Sequence, residues 1–230
     1  MTNVLITGAN RGLGLALATR FVARPDTRVI ATTRDAANAG DLQALRARSG
    51  DRVEVVVADV SDAASIDALA QTVAAGGRTI DVLINNAGMA DWSGIGAIVE
   101  AEIAEILRVN AIGPVLVTQA LLPHVRDGGK IVNMTSQLGS IANVGGSSGL
   151  AYGMSKAALN MFTVTLAGDV KARGIAVLSL HPGWVRTRMG GSGATLTTDQ
   201  SAGGMMAVIE RLSPATSGSY LAYDGSTLPW

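Results

Sequence analysis

Residues 7–14 read TGANRGLG, and this stretch lies between the apolar run Val4–Ile6 and the run LALATRF at residues 15–21. The first run predicts a strand and the second a helix, so the glycines fall in a strand-turn-helix unit. In such a unit, glycines permit a tight turn and let a pyrophosphate approach the backbone, where free N–H groups at the helix start face it. An ordinary glycine-rich turn is the alternative, but the coincidence of strand, glycines and helix favours a dinucleotide-binding loop.

Short β-branched runs alternate with longer Ala- and Leu-rich runs along the whole chain. This alternation is typical of βαβ units and of a parallel sheet that is buried on both faces. The fold class predicted is therefore α/β, a doubly wound seven-stranded parallel sheet with helices on both faces. The predicted strands are residues 3–7, 28–32, 53–58, 81–85, 130–135, 175–180 and 219–223. The predicted helices are residues 12–23, 40–48, 62–75, 98–108, 111–126, 151–172 and 197–212.

Composition limits the classes of function that are plausible. A chain of 230 residues with 48% hydrophobic content suits one domain over residues 1–230. Lys+Arg and Asp+Glu are 18 each, so no basic face for nucleic acid or an anionic membrane is expected. The sequence has no cysteine and two histidines, and we therefore expect no metal site. No basic leader or long apolar stretch is evident, which predicts a cytoplasmic protein without a membrane span.

The end of the second predicted strand bears on which dinucleotide would bind. A sheet that prefers NAD usually ends this strand with an acid that holds the ribose hydroxyls. Here the strand ends at Ile30–Arg34, without an acid before Asp35. Arg34 could clamp a 2′-phosphate, and Arg11 in the glycine loop could approach the same group. Either arginine alone would be better read as a solvated surface residue, but the two together favour NADPH.

Tyr152 and Lys156 are spaced one helical turn apart within the predicted helix 151–172. At this spacing the ammonium lies near the phenol and favours its ionised form, so we expect the pKa of Tyr152 to shift toward the working pH. A tyrosine tuned in this way could act as a general acid and base. Because Tyr-x-x-x-Lys occurs by chance in many helices, the pair alone is a weak signal.

Three motifs occur in a fixed order: Thr-Gly-x-x-x-Gly-x-Gly at 7–14, Asn-Asn-Ala-Gly at 85–88, and Tyr-x-x-x-Lys at 152–156. Together they resemble the short-chain dehydrogenase/reductase family, and the resemblance covers essentially the whole chain. Residues 139–141, 182–185 and 224–230 further resemble the C-factor and Sniffer-type carbonyl reductases. The resemblance implies a Rossmann fold and NADPH-dependent reduction of a ketone or aldehyde to an alcohol, in a reversible reaction with Tyr152 as general acid and base.

The resemblance also implies roles for individual residues. Ser136, at the end of a predicted strand, would hydrogen-bond the substrate oxygen, although Thr135 and Ser140 are neighbouring hydroxyls. Asn110 would interrupt a helix and connect Lys156 to solvent through a water, whereas by itself it could be a helix cap. Asp59 would contact adenine, although alone it could cap a strand end. The implied cofactor-binding residues are Gly8, Asn10, Arg11, Gly12, Leu13, Gly14, Arg34, Asp59, Val60, Asn86, Ala87, Gly88, Tyr152, Lys156, Pro182, Gly183, Val185 and Thr187.

The substrate region is less defined. Gly183–Thr198 is rich in Gly, Ser and Thr, and predicts a substrate lid near residues 184–200. Arg188 stands where the family resemblance leads us to expect an acid. The predicted pocket wall is apolar around the polar oxygen, although each residue could instead be core or lid packing. Its candidates beside Ser136 and Tyr152 are Trp92, Gln137, Leu138, Val144, Trp184 and Met189.

Two other functions and the oligomeric state stay open at this point. An NADPH-binding redox sensor or signalling protein would need no turnover, and a cofactor-free lyase or dehalogenase would need no phosphate loop. The intact catalytic residues disfavour the first alternative, and the intact glycines disfavour the second. By resemblance, the helices 111–126 and 151–172 could form a homodimer or homotetramer, and a monomer is also possible.

Overall fold

One parallel sheet runs through the computed structural model, which describes residues 1–37 and 39–230. Its strand order is β3-β2-β1-β4-β5-β6-β7, with every neighbouring pair parallel. The predicted doubly wound fold is thus confirmed. The strands are β1 Thr2–Ile6, β2 Thr27–Thr33, β3 Val53–Val57, β4 Ile80–Asn85, β5 Val125–Met134, β6 Ala176–His181 and β7 Ser219–Ala222.

Helices cover both faces of this sheet. They are α1 Gly12–Val22, α2 Gly40–Ser49, α3 Ala63–Ala75, α4 Glu100–Leu107, α5 Gly113–Leu121, α6 Leu150–Asp169 and α7 Thr198–Arg211. The Asp62 carboxylate accepts a hydrogen bond from the Ala64 N–H at 3.2 Å, so Asp62 caps α3. Gly174, at φ 65°, ends the turn that follows α6.

Alternate residues of the strands supply two cores. Val4 and Ile6 of β1 pack with α1, α2 and α7, whereas Leu5 packs with α3, α5 and α6. Successive side chains of a strand point to opposite faces, so a fully apolar strand serves both helical layers. This arrangement explains why the strands read as continuous apolar runs.

The observed helices differ from the two predicted at 98–108 and 111–126. α4 and α5 are joined by a π-helical turn at Arg108–Ile112, so the chain stays helical through Asn110. α5 ends at Leu121, earlier than predicted, and a 3-10 turn leads directly into β5 at Val125. Pro123 in that turn explains the early end, because proline lacks the N–H that a continuing helix requires.

The helical run Glu100–His124 is, among the described residues, long and apolar enough to cross a membrane by length and composition alone. The core helix of a sheet protein passes the same test. Here α5 contacts α3 and the π turn contacts α6. We therefore interpret the run as a helix that packs on the sheet.

The chain reverses its winding direction between β1 and β4, which are neighbours in the sheet. Open parallel sheets bind ligands outside the carboxyl ends of their strands at such a point. The glycine loop follows β1 there, Asn86 follows β4, and Thr135 and Ser136 follow β5. The fold thus brings two of the predicted motifs and the candidate serine to one edge of the sheet.

Candidate active site

The glycine loop is fixed by the segment that follows β4. The Thr7 hydroxyl accepts hydrogen bonds from the N–H groups of Asn86 and Ala87, both at 3.0 Å. In return, the Asn86 amide donates to the carbonyl oxygens of Thr7 at 2.8 Å and Gly8 at 3.0 Å. The side chain of Asn86 therefore braces the loop, and any cofactor contact by residues 86–88 would use other atoms.

Gly14 shows why the loop needs a residue without a side chain. A Cβ at this position would lie 2.5 Å from both the Asn86 Nδ2 and the Gly8 carbonyl oxygen. α1 begins at Gly12, and its N-cap residue, Arg11, makes no side-chain capping hydrogen bond. The first N–H groups of α1 are therefore free of a side-chain cap, as a phosphate-binding helix start requires.

The end of β2 and the end of β3 place an arginine and an acid near each other. Asp59 accepts hydrogen bonds from the Ser61 N–H at 2.8 Å and the Ser61 hydroxyl at 2.6 Å. Burial opposes ionisation of Asp59, but these hydrogen bonds and the nearby Arg34 guanidinium lower its pKa below the ordinary value. Arg11 and Arg34 are both exposed. The guanidinium groups of both arginines predicted to bind the 2′-phosphate are thus available to solvent.

Tyr152 is a buried phenol on the first turn of α6. The Ser136 hydroxyl lies near it, and the Trp92 ring meets it edge-on with centroids 5.7 Å apart. Burial raises the pKa of Tyr152 to about 12, against a lowering by the nearby Ser136 hydroxyl. The expectation that this pKa would shift toward the working pH is wrong, because burial outweighs the effects that lower it. The phenol is protonated at neutral pH, which is the form that a proton donor needs.

Lys156 lies one turn further along α6 and is also buried. Its Nζ donates to the Met134 carbonyl oxygen at 2.8 Å and sits 5.5 Å from the centroid of the Tyr152 ring. Burial lowers the pKa of Lys156 to about 8. The lysine is thus held against the end of β5 by its own hydrogen bond.

Asn110 lies at the centre of the π-helical turn. Its Oδ1 accepts from the Met89 N–H at 2.9 Å, and its Nδ2 donates to the Met89 carbonyl at 2.7 Å and to the Ser155 hydroxyl at 3.0 Å. The chain stays helical on both sides, through a π turn in place of a break, so Asn110 is not a helix cap. A Cβ on Gly88 would lie 3.2 Å from the Asn110 Oδ1 and 3.6 Å from the Lys156 Nζ. Asn110, Gly88 and Lys156 therefore share one location.

The turn after β5 carries the serine. Ser136 is buried, and its hydroxyl accepts the Leu138 N–H at 3.2 Å. Gly139 allows this turn to lie directly on α6, since a Cβ there would meet the Lys156 backbone carbonyl carbon at 2.8 Å. Thr135 is directed elsewhere, because its hydroxyl donates to the Asn160 Oδ1 at 2.8 Å. Ser136 is thus the hydroxyl of this segment that meets Tyr152.

Residues 182–197 form an ordered but irregular loop. Arg186 N–H donates to the Leu196 carbonyl at 2.8 Å, and the Trp184 indole donates to the Gly190 carbonyl at 2.8 Å. The Pro182 carbonyl accepts the Ser201 hydroxyl at 2.6 Å, which ties the loop to α7. A Cβ on Gly12 would lie 3.6 Å from the Thr187 Cγ2, so this loop meets the glycine loop.

Four apolar side chains of the predicted pocket wall are exposed. Trp92 is 51% exposed and Trp184 56%, and Val144 and Met189 are also exposed. Beneath Trp92 the chain approaches closely, because a Cβ on Gly149 would lie 3.0 Å from its ring. We name this set of side chains the apolar rim: Trp92, Val144, Trp184 and Met189.

The sequence matches the model of the family described as short chain dehydrogenase over residues 2–195. The chain belongs to this family. It is 43% identical to C-signal of Myxococcus xanthus over 154 residues, which are 66% of this chain and 93% of that protein. The predicted resemblance is thereby confirmed at the level of the family.

Solved structures of carbonyl reductases also resemble this short chain dehydrogenase. The NADPH-bound carbonyl reductase from chicken fatty liver has a TM-score of 0.95 and 36% identity, covering 100% of this chain and 99% of that chain. The carbonyl reductase Sniffer of D. melanogaster has a TM-score of 0.94 and 33% identity, covering both chains fully. The expected likeness to Sniffer-type reductases is confirmed.

The structure therefore brings together Asn110, Ser136, Tyr152 and Lys156, as predicted. Among the other predicted contacts, Val60 is buried, Gln137 is exposed, and Leu138 is partly buried. Sequence reasoning missed Asn160 and Tyr220, which are buried beside the serine turn. Neither residue belongs to a motif, so their positions emerge only from the packing of α6 and β7.

Proposed function

We propose that the protein is an NADPH-dependent carbonyl reductase that converts a ketone or aldehyde to an alcohol, in a reversible reaction. The observation that supports this most directly is the buried Tyr152 phenol, which lies near the Ser136 hydroxyl and close to Lys156 at the edge of the sheet. The same edge carries an uncapped helix start behind a glycine loop. The proposed proton donor and the proposed dinucleotide site thus lie at the same edge of the sheet.

In the proposed reduction, Tyr152 donates its proton to the carbonyl oxygen as that oxygen gains negative charge. The raised pKa, about 12, keeps the donor protonated at neutral pH. The Ser136 hydroxyl binds the same oxygen and stabilises its developing charge, since it already meets the phenol. NADPH, when bound, supplies the hydride that the carbonyl carbon accepts. In the reverse reaction, Tyr152 accepts the proton of the alcohol.

Lys156 and Asn110 support that proton transfer. With its Nζ anchored on the Met134 carbonyl, Lys156 presents an ammonium beside the Tyr152 ring. A positive charge at this distance favours the phenolate that remains after the proton has left. Asn110 lies in the π turn next to Gly88 and Lys156. We propose that it connects Lys156 to solvent through a water.

The residues at the glycine loop fit NADPH. The uncapped start of α1 would hold the pyrophosphate, and Arg11 with Arg34 would hold the 2′-phosphate. The similar chicken structure is described as NADPH-bound. For this chain, we propose that the adenosine and nicotinamide ends are held by the residues predicted from the sequence, with Asp59 and Val60 at one end and Pro182, Gly183, Val185 and Thr187 at the other.

The apolar rim suggests an uncharged carbonyl compound with a sizeable apolar part, because burying exposed Trp and Met side chains favours apolar ligands. We propose residues 184–200 as the lid over this compound and Gln137 as a further contact. The lid is tied to α7 and to the glycine loop, so its position would respond to bound cofactor.

The test is consumption of NADPH and of NADH with a panel of aliphatic and aromatic ketones and aldehydes. We expect turnover of several apolar carbonyl compounds with NADPH, and at least about tenfold lower efficiency with NADH, since a paired phosphate contributes more than about 1.4 kcal/mol. Absence of turnover across the panel, with NADPH binding intact, would contradict the reductase proposal.

A second candidate function is that of an NADPH-binding signalling protein, which the likeness to C-signal favours. It predicts tight NADPH binding without turnover of any carbonyl compound. A cofactor-free lyase, the third candidate, predicts that fluorescence titration detects neither NADPH nor NADH. The two measurements together separate the three functions.

We also propose a homodimer or homotetramer formed through α5 and α6. The outer faces of these helices expose Ile112, next to the start of α5, and Met154, Met161 and Val164 of α6. Exposed apolar side chains grouped on one surface favour association. Light scattering would decide, and a monomer at micromolar concentration would contradict this proposal. We also propose that the protein is cytoplasmic.

A further inference from the structure

The backbone of Ser136 is hydrogen-bonded by a buried tyrosine, Tyr220, that the proposed mechanism does not use. Tyr220 in β7 is 1% exposed, and its Oη donates a hydrogen bond to the Ser136 backbone carbonyl. The same carbonyl accepts the Gly139 N–H at 2.8 Å, while the Ser136 hydroxyl accepts the Leu138 N–H. Of these three bonds, the one from Tyr220 comes from outside the serine turn, residues 136–141.

Asn160 of α6 joins the same arrangement. Its Oδ1 accepts the Thr135 hydroxyl at 2.8 Å, and its Nδ2 donates to the Gly139 carbonyl at 3.2 Å. Burial raises the pKa of Tyr220 to about 12, against a lowering by its hydrogen bond with Asn160. The Tyr220 hydroxyl therefore keeps its proton, and its role as a donor, at any ordinary working pH.

The segment after β7 covers Tyr220. The Trp230 ring stacks on the Tyr220 ring with centroids 5.1 Å apart and planes 27° apart. The Leu228 N–H donates to the Tyr220 carbonyl at 2.9 Å, and the Trp230 backbone oxygen accepts the Ile141 N–H at 2.5 Å. The segment thus holds both the tyrosine and the far end of the serine turn.

We propose that Tyr220 is a positioning residue, which fixes Ser136 against Tyr152 through the Ser136 carbonyl while Trp230 fixes Tyr220. This inference rests on the proposed reductase function. Removing the hydroxyl takes away one of the two donors to a buried carbonyl, and a buried polar group that loses a partner favours rearrangement. The turn would then shift relative to Tyr152, while the phosphate-binding loop on the other side of the site would not.

The first test compares Tyr220→Phe with the matched control Tyr223→Phe, which removes the same hydroxyl three residues away. With a carbonyl compound that the wild type reduces, Tyr220→Phe should lower kcat about tenfold and leave KM within about twofold, since Ser136 acts on charge that develops in the transition state. NADPH binding should be unchanged in both variants. A kcat for Tyr220→Phe equal to that of Tyr223→Phe and wild type would overturn the proposal.

The second test needs no turnover and so separates this proposal from the reductase function. Amide hydrogen exchange of Leu138 and Gly139, followed by NMR, should be about tenfold faster in Tyr220→Phe and unchanged in Tyr223→Phe, because local opening is easier when the turn loses a tie. Faster exchange in a protein that turns over nothing would support the positioning role and refute the reductase. Unchanged exchange would overturn the positioning role even in an active enzyme.

Discussion

The proposed catalytic interior and the apolar rim are built differently. In the interior, Asn110, Ser136, Tyr152 and Lys156 are buried, and side-chain hydrogen bonds hold Asn110, Ser136 and Lys156. In the rim, large apolar side chains are exposed on irregular segments. A reaction needs groups held within hydrogen-bonding distance, whereas an apolar ligand needs area and shape. The interior therefore indicates the chemistry, and the rim leaves the substrate open.

The largest effect is expected from Lys156→Ala in the interior. Loss of the ammonium should lower kcat/KM about 10³-fold, because the group supports both general acid catalysis and the proposed cofactor contact. NADPH oxidation with the best carbonyl substrate measures this loss. Lys171→Ala, at an exposed position after α6, is the matched control and should behave as wild type. If Lys156→Ala retained most of the activity, the proposed role of Lys156 in catalysis would be contradicted.

A smaller effect is expected from the exposed arginines at the cofactor end. The double variant Arg11→Ser, Arg34→Ser should raise the KM for NADPH about 10- to 100-fold, since charge-assisted bonds to a phosphate contribute about 1.5–3 kcal/mol each before screening. The KM for NADH should change little. Arg48→Ser, on the exposed face of α2, serves as the control. Equal losses with both cofactors would contradict the 2′-phosphate assignment.

How much of this could be foreseen depends on the range of the contacts involved. The glycine loop and the Tyr152–Lys156 pair follow from spacing within one local element, and both were predicted. The bracing of Thr7 by Asn86 and the bond from Tyr220 to Ser136 join residues 79 and 84 positions apart, which no local pattern records. The predicted direction of the Tyr152 pKa shift was wrong because this pKa depends on burial, and burial is set by the packed fold.

The rim should give a selective and modest effect. Trp92→Ala removes a ring that packs on Gly149 and Tyr152, and we expect KM to rise about three- to tenfold for bulky ketones, as for lost apolar contact of about 1 kcal/mol. Small aldehydes should show little change. Steady-state kinetics with both substrate classes measure the difference, with Val57→Ala on the edge strand as a control. An equal effect on small and bulky substrates would show that Trp92 acts through Tyr152 instead.

His181, where β6 leads into the lid, should affect stability rather than turnover. Burial lowers its pKa to about 4, and its Nδ1 has no hydrogen-bond partner within the described residues. The unfolded state, with an ordinary pKa near 6.5, then binds the proton first as pH falls. The contribution of His181 to the free energy of unfolding is therefore complete above pH ~6.5 and is lost as the pH falls toward ~4. The loss amounts to about 2 kcal/mol at pH ~5.

Denaturant unfolding at pH values between about 7 and 5 tests this. His181→Gln should lose less stability than wild type over the range, because glutamine does not titrate. Parallel pH dependences of the two proteins would contradict the role assigned to His181. Carboxylates titrate in both proteins, so the difference between them isolates the histidine.

The central claim is that Tyr152 is the proton donor for carbonyl reduction, and Tyr152→Phe tests it most directly. The substitution keeps the ring against Trp92 and removes only the hydroxyl. NADPH oxidation and NADPH binding are measured on the same preparations. We predict that turnover falls about 10³-fold while the Kd for NADPH stays within about twofold, as expected for loss of a general acid. Turnover close to that of wild type, with NADPH bound normally, would contradict the account.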